Sequence, residues 1–231
     1  MPDLAVEQRS AEWHAQRCGK ITASEFGAAV DITQPEPGTV YKSGPRKGLP
    51  KLPQSSAARD KYMRELAFER RSGTPVHEIG SRSMTWGREV ETFAREAVEL
   101  ETGLLVKPAA FQTHPLYPFI GASADGWTSD GGGLEMKSPH DEAVHLQTIL
   151  EGMPEGHRAQ VQGGMWVTGR PHWWFASYDP RQAEADRLYV ERIQRDDDYI
   201  EWLSRGLLQF EAELKVLMAH LDRRNALRAA A

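Results

Sequence analysis

Apolar residues keep helical spacing in two stretches of the chain and form short alternating or continuous runs in several others. From about residue 83 to 101, Trp86, Val90, Phe93, Ala97 and Leu100 predict an amphipathic helix that Gly103 closes. From near Asp196, Leu203, Leu207, Phe210, Leu214, Leu217 and Leu221 predict a longer one, over about 196–222. Ser55 or Ser56 can cap another helix running towards Arg71, with Gly73 and Pro75 to end it. Thr22-x-x-Glu25 has the form of a capping box and predicts a short helix, and a further helix covers 157–167 despite Gly163 and Gly164. Strands are predicted over 104–113, 118–125, 133–137, 172–178 and 187–194. Residues 31–53, rich in Pro, Gly and Lys, read as a long loop, mobile or ordered only on binding. Helices and strands interleave as in a mixed α/β (α+β) protein with a central sheet flanked by helices.

At 231 residues the chain can bury one sizeable core, so a single domain over 1–231 is expected: core about 80–195, N-terminal helices and a basic strip over 10–75, then the C-terminal helix. No apolar run approaches the length of a bilayer span. The N-terminus, with Asp3 and Glu7, lacks the basic-then-apolar pattern of a signal peptide, so a cytoplasmic protein with no membrane partner is expected. The lone Cys18 cannot form an internal disulfide. A net charge of −5 argues against a broad basic surface, but its distribution is uneven. Residues 42–71 hold nine basic side chains (Lys42, Arg46, Lys47, Lys51, Arg59, Lys61, Arg64, Arg70 and Arg71) against three acidic, so this strip is +6 and the remainder −11. Such a strip suits phosphate tracking, or else is a solvated helix face and loop.

The densest chemistry lies in GASADGWTSDGGGLEMKSP. A strand alternates its faces, so in Leu134-Glu135-Met136-Lys137 the Glu and Lys project together while Leu134 and Met136 turn away. Asp130-Gly131-Gly132-Gly133 has turn chemistry, which lets the segment carrying Asp125 fold back beside Glu135. Two carboxylates and an ammonium then converge. Two carboxylates plus waters suit Mg²⁺ or Mn²⁺, and a lysine beside such an ion can handle an attacking water or offset charge on phosphorus, which is the chemistry of phosphodiester hydrolysis. His140, His145 and His157 have no zinc-like spacing. Trp173 and Trp174 are adjacent in a strand and cannot both face the core, so one is free for an interface or substrate.

At Asp125, Glu135 and Lys137 the chain resembles the PD-(D/E)XK nuclease superfamily, and within it the phage lambda exonuclease family of alkaline, recombination-associated exonucleases. Four further segments carry the likeness in order: Trp13-His14-Ala15-Gln16-Arg17-Cys18-Gly19-Lys20-Ile21-Thr22-Ala23-Ser24-Glu25; Trp86-Gly87-Arg88-Glu89-Val90-Glu91; Ala159-Gln160-Val161-Gln162 with Met165-Trp166-Val167-Thr168; and Tyr178-Asp179-Pro180-Arg181. Ala124 stands where the superfamily name has proline, a position that supplies no ligand. Residues 31–53 look unlike the family, so nothing is carried over there. The resemblance implies a restriction-endonuclease-like PD-(D/E)XK core. It implies two Mg²⁺ per site (Mn²⁺ possible), with Asp125 bridging, Glu135 binding one ion, the Met136 carbonyl as a further ligand and Lys137 at the water. It also implies Glu91 as a supporting carboxylate, Gln160 near the metals or nucleophile, Arg17 and Ser24 in a pocket for a 5′-phosphate, and Met84 as a wedge at the terminal base pairs. The activity implied is 5′-to-3′ degradation of double-stranded DNA from a 5′-phosphorylated end to mononucleotides, leaving a 3′ tail, by a ring-shaped homotrimer with a single-strand annealing partner. The alternatives are an endonuclease on the same fold and a DNA-binding module that does not cleave.

Overall fold

The computed structural model describes residues 8–76 and 82–229, and the side chains of residues 82–84 and 88 lie outside that description. Ser10 caps α1 (Ala11–Arg17), its hydroxyl accepting the Trp13 N–H at 3.1 Å. The chain leaves α1 through a type II turn: Cys18 has φ −52° and ψ 124°, Gly19 has φ +72°, and the Lys20 N–H donates to the Arg17 carbonyl at 2.9 Å. The third position of that turn favours glycine, the residue without a Cβ to strain at positive φ. β1 (Ile21–Thr22) follows, then one turn of 3₁₀ helix and α2 (Phe26–Val30). A helical segment begins where the capping box predicts, but the Thr22 side chain makes no cap bond, because Arg17 and Ser24 hold its hydroxyl.

The predicted loop over 31–53 is closed at its base. β2 (Ile32–Thr33) pairs antiparallel with β3 (Gln54–Ser55), and a bridge joins Val40 to Pro50 further out, making a hairpin arm with an exposed tip. α3 (Ala57–Ser72) has the predicted caps: the Ser56 hydroxyl accepts the Arg59 N–H at 3.1 Å, and Gly73 ends the helix at φ +66°. α4 (Arg82–Thr102) ends at Gly103, as predicted. Its buried stripe is Val90, Ala94 and Val98, whereas Phe93 and Leu100, expected to face inward, are 58% and 88% exposed. The helix lays one narrow row of small side chains on the sheet, and the bulkier residues fall on its outer flank.

The predicted strand over 104–113 breaks in two because Pro108 has no N–H for a ladder. β4 (Val106–Lys107) and β5 (Gln112–Thr113) join different sheets. The predicted strand over 118–125 shortens to β6 (Ile120–Ala122), and the residues after Asp125 form their own strand, β7 (Gly126–Thr128). β8 (Gly133–Lys137) keeps its predicted bounds. α5 (Glu142–Glu151) lies where the apolar pattern predicts no element; it buries His145 and Thr148 and exposes Val144, Leu146 and Leu150, the reverse of an amphipathic signal. His145 is satisfied inside by the Ser177 hydroxyl and the Asp186 carbonyl, each at 2.8 Å. α6 (Arg158–Thr168), β9 (His172–Tyr178), β10 (Leu188–Gln194) and α7 (Asp197–Ala229) complete the chain, the last running beyond its predicted end at 222.

Five strands form one mixed sheet in the order β10-β9-β8-β7-β4, in which β8 and β9 run parallel and the other neighbours antiparallel. β1, β6 and β5 form a second, three-stranded sheet. α6 packs between these layers, and its two glycines explain how. A Cβ on Gly163 would lie 2.2 Å from the Phe26 ring, and one on Gly164 2.6 Å from the Trp173 ring. Trp173 is buried there, whereas Trp174, on the opposite face, is half-buried and donates its indole N–H to Asp130 at 3.0 Å. The largest core cluster joins Phe26 of α2, Leu66 of α3, Ile120 of β6 and Leu203, Leu207, Phe210 and Leu214 of α7. Among the described residues no helix is long and apolar enough to cross a membrane.

Candidate active site

Asp125 stands one residue before β7 and is bonded twice to β8. Its N–H donates to the Leu134 carbonyl at 2.9 Å, and its Oδ2 accepts the Met136 N–H at 2.7 Å. A strand residue directs its N–H and C=O to the same edge, so the Met136 carbonyl shares the edge on which Asp125 lies. Glu135 is 3% exposed and turns to the same face as Lys137. The Lys137 Nζ donates to Glu135 Oε1 at 2.6 Å and to Gln160 Oε1 at 3.2 Å, while Gln160 Nε2 donates to Glu135 Oε1 at 2.7 Å. Gln160 comes from the first turns of α6, so packing of that helix on the sheet closes the group. The structure thus brings Asp125, Glu135, Lys137 and Gln160 into one site.

Burial, and then the neighbouring Glu135 charge, push the Asp125 carboxyl well above the usual carboxylate range, against the Lys137 ammonium and the Met136 N–H; Glu91 adds to the rise. Burial works against the Lys137 charge, but Glu135 and Asp125 more than offset it and hold Lys137 above its ordinary value. Two carboxylates with one shared ammonium leave an excess of negative charge in a confined place. That excess, together with a backbone carbonyl on the same edge, fits a hard divalent cation. Among the described residues no three His, Cys, Asp or Glu side chains gather as a metal cage, so the carbonyl and waters would have to complete the shell.

Glu91, on α4, is near enough to Asp125 to act on its charge and is itself held by Arg9 at 2.7 Å and Arg95 at 3.5 Å. His157, at the N-terminus of α6, lies near the site without any sequence motif to mark it. It stacks on Phe175 at 5.5 Å, and burial together with the Lys137 charge lowers it to about 4, so it stands beside the lysine as a neutral imidazole. A lone histidine before a helix carries no sequence signal of that placement.

A second group lies across residues 123–125. The Arg17 guanidinium donates to Ser24 Oγ at 3.2 Å and to Thr22 Oγ1 at 3.3 Å, and stacks on the Trp13 ring at 4.1 Å. Trp13 in turn donates its indole N–H to Ser123 Oγ at 3.1 Å, two residues before Asp125. Arg17, Ser24, Thr22 and Lys20 line a cleft of about 610 Å³. Arg17 and Ser24 therefore meet, and Trp13, Thr22 and Ser123 join them through contacts that the sequence does not announce. Met84 lies on the first turn of α4, with its side chain outside the described residues.

The basic strip is smaller than its sequence suggests. Arg59 is buried and paired with Glu213, Arg70 makes a bidentate pair with Glu211, and Arg71 pairs with Asp222, all acids of α7. Lys42, Arg46, Lys47 and Lys51 on the arm, with Lys61 and Arg64, remain exposed.

A family model described as a YqaJ-like viral recombinase domain matches residues 12–171. An alkaline exonuclease, LHK-Exo from Laribacter hongkongensis, is 32% identical, with 94% of this chain and 98% of that one covered at a TM-score of 0.78. The same enzyme in complex with dAMP matches at a TM-score of 0.79. A phage-related exonuclease from Haemophilus somnus 129PT shares the fold at 17% identity, with a TM-score of 0.63 over 87% of this chain and 96% of that one.

Proposed function

From the premise that this chain belongs to the YqaJ-like viral recombinase family, within the lambda exonuclease group of the PD-(D/E)XK fold, we propose a Mg²⁺-dependent 5′-to-3′ exonuclease acting on double-stranded DNA ends. Family membership makes it a nuclease of the exonuclease type. The convergence of Asp125, Glu135, Lys137 and Gln160 carries the finer reading. Asp125, Glu135 and the Met136 carbonyl would hold Mg²⁺ or Mn²⁺, two ions per site, which would supply Lewis-acid polarisation of the phosphodiester and its attacking water.

The protein groups have distinct tasks. Lys137 Nζ, fixed between Glu135 and Gln160, orients the attacking water or offsets charge growing on the phosphoryl oxygens. Gln160 keeps Glu135 and Lys137 in register by bonding both. Glu91 supports the site through its charge. The Arg17 fork and the Ser24 hydroxyl take the terminal 5′-phosphate, which sets the next phosphorus against Asp125. Breaking that phosphorus–O3′ bond releases a 5′-mononucleotide and leaves a new 5′-phosphate, so each turnover regenerates the end that the cleft receives. Met84 is the hydrophobic wedge at the terminal base pairs. The whole chain acts as one domain, in a homotrimeric ring in the cytoplasm, and leaves a 3′ tail for a single-strand annealing protein.

Duplex DNA labelled at its 5′ or 3′ ends and incubated with Mg²⁺ tests the polarity. Labelled mononucleotide released at once from the 5′ label, with the 3′ label kept in long products, is the expected result. Internal fragments would make the protein an endonuclease on the same fold, and no product would make it a binding module.

A further inference from the structure

Both polar groups of Gly19, in the type II turn after Arg17, are captured by consecutive residues of α3. The Gly19 N–H donates to Glu69 Oε2 at 2.7 Å, and the Gly19 carbonyl accepts from Arg70 Nε at 2.8 Å. The other Glu69 oxygen accepts the Val76 N–H at 2.9 Å, so the carboxylate ties two chain segments to one helix. Arg70 is braced in turn by Glu211 of α7, at 2.9 and 2.7 Å, and Glu211 is buried. The turn and α3 are also in close van der Waals register: a Cβ on Gly19 would stand 3.0 Å from Arg70 Cγ. A surface turn trades its hydrogen bonds for water readily, whereas one bonded through charge-assisted contacts at both N–H and C=O does not. The conformation of this turn sets where the end of α1, with Arg17, stands relative to Thr22 and Ser24.

We propose that Glu69 is a positioning residue for recognition of the DNA end, braced by Arg70. Together they lock the Gly19 turn and so hold the Arg17 guanidinium against the Ser24 hydroxyl in the geometry that receives a terminal phosphate. The inference rests on the reading of Arg17 and Ser24 as the 5′-phosphate pocket. Glu69 acts through the backbone, since its own charge would repel a phosphate dianion and both of its oxygens are taken by N–H groups.

The test is the ratio of single-turnover rates on 5′-phosphorylated over 5′-hydroxyl duplex ends, in wild type, Glu69→Ala, Glu69→Gln, Arg17→Ala and the Arg17→Ala/Glu69→Ala double variant. Glu69→Ala should lower the ratio by about tenfold or more, as a misplaced binding group does. Glu69→Gln, which keeps an amide oxygen for the Gly19 N–H, should lower it less. In the Arg17→Ala background the further loss of Glu69 should leave the ratio where it is, because Glu69 acts through Arg17. If wild type prefers phosphorylated ends and Arg17→Ala does not, yet both Glu69 variants keep the wild-type ratio, the inference is overturned and the pocket stands. Equal wild-type rates on both ends overturn the pocket itself, and the inference with it. Should Glu69→Ala fail to fold, Glu69→Gln decides.

Discussion

Lys137 meets Glu135 and Gln160 within hydrogen-bonding distance, and a group so anchored is suited to act during bond breaking rather than to gather substrate. Lys137→Ala should therefore cut the single-turnover rate by about a hundredfold or more while changing equilibrium binding to DNA ends little. Loss of binding in proportion to rate would make it a phosphate anchor instead. Its neighbour His157 yields a pH prediction with a definite sign. The folded state holds this imidazole at about 4 against an ordinary 6.5, so the unfolded chain binds the proton first. Stability should be indifferent to His157 above about pH 6.5 and fall by on the order of 2 kcal/mol as pH drops towards 4. His157→Phe, which keeps a ring on Phe175, should remove that component of the slope in urea denaturation measured at several pH values. The Glu135–Lys137 pairing was legible because a strand repeats every two residues, and the Asp130 turn told which segment would lie beside it. Trp13 and Ser123 were not legible as partners, since their contact spans 110 residues and nothing in either neighbourhood announces the other.

Elements whose periodicity or caps agree with their packing are legible nearly to the residue. β9 matches its predicted bounds, and Ser56 and Gly73 end α3 as their chemistry required. Where buried groups are polar, the pattern misleads: α5 turns His145 and Thr148 inward and Val144, Leu146 and Leu150 outward, so apolar spacing held no sign of it. Phe93 and Leu100 misled in the other direction, because small Ala94 lies on the face that α4 buries. Gly163 and Gly164 look like defects in a helix and are the condition for its docking. Gly163→Ala should gain about 1 kcal/mol of helix propensity yet lose about 1–3 kcal/mol or more to collision with the Phe26 ring, giving a lower urea midpoint. Gly87→Ala, with no described atom within 4 Å of the added Cβ, should raise the midpoint. A raised midpoint for Gly163→Ala would mean that α6 does not press on α2 as described.

Charge is organised on the scale of the whole molecule. The strip over 42–71 reads as +6 in sequence, but three of its arginines neutralise acids of α7 and hold two helices together. The basic side chains that remain exposed lie on the arm and the outer face of α3. Reversing Lys42, Arg46, Lys47 and Lys51 should flatten the dependence of log affinity on log salt by about 0.9 for each phosphate that the arm no longer neutralises, whereas Arg71→Ala should lower stability and leave the slope alone. An unchanged slope after the fourfold reversal would show that the arm faces solvent. The central claim, that Asp125 and Glu135 hold a divalent ion for phosphodiester hydrolysis, has a more direct test. Single-turnover cleavage of 5′-phosphorylated duplex DNA by wild type in Mg²⁺, by wild type in EDTA, and by folded Asp125→Ala and Glu135→Ala in Mg²⁺ should give mononucleotides in the first case and almost none in the others. Undiminished release in EDTA, or from either variant, would contradict the account.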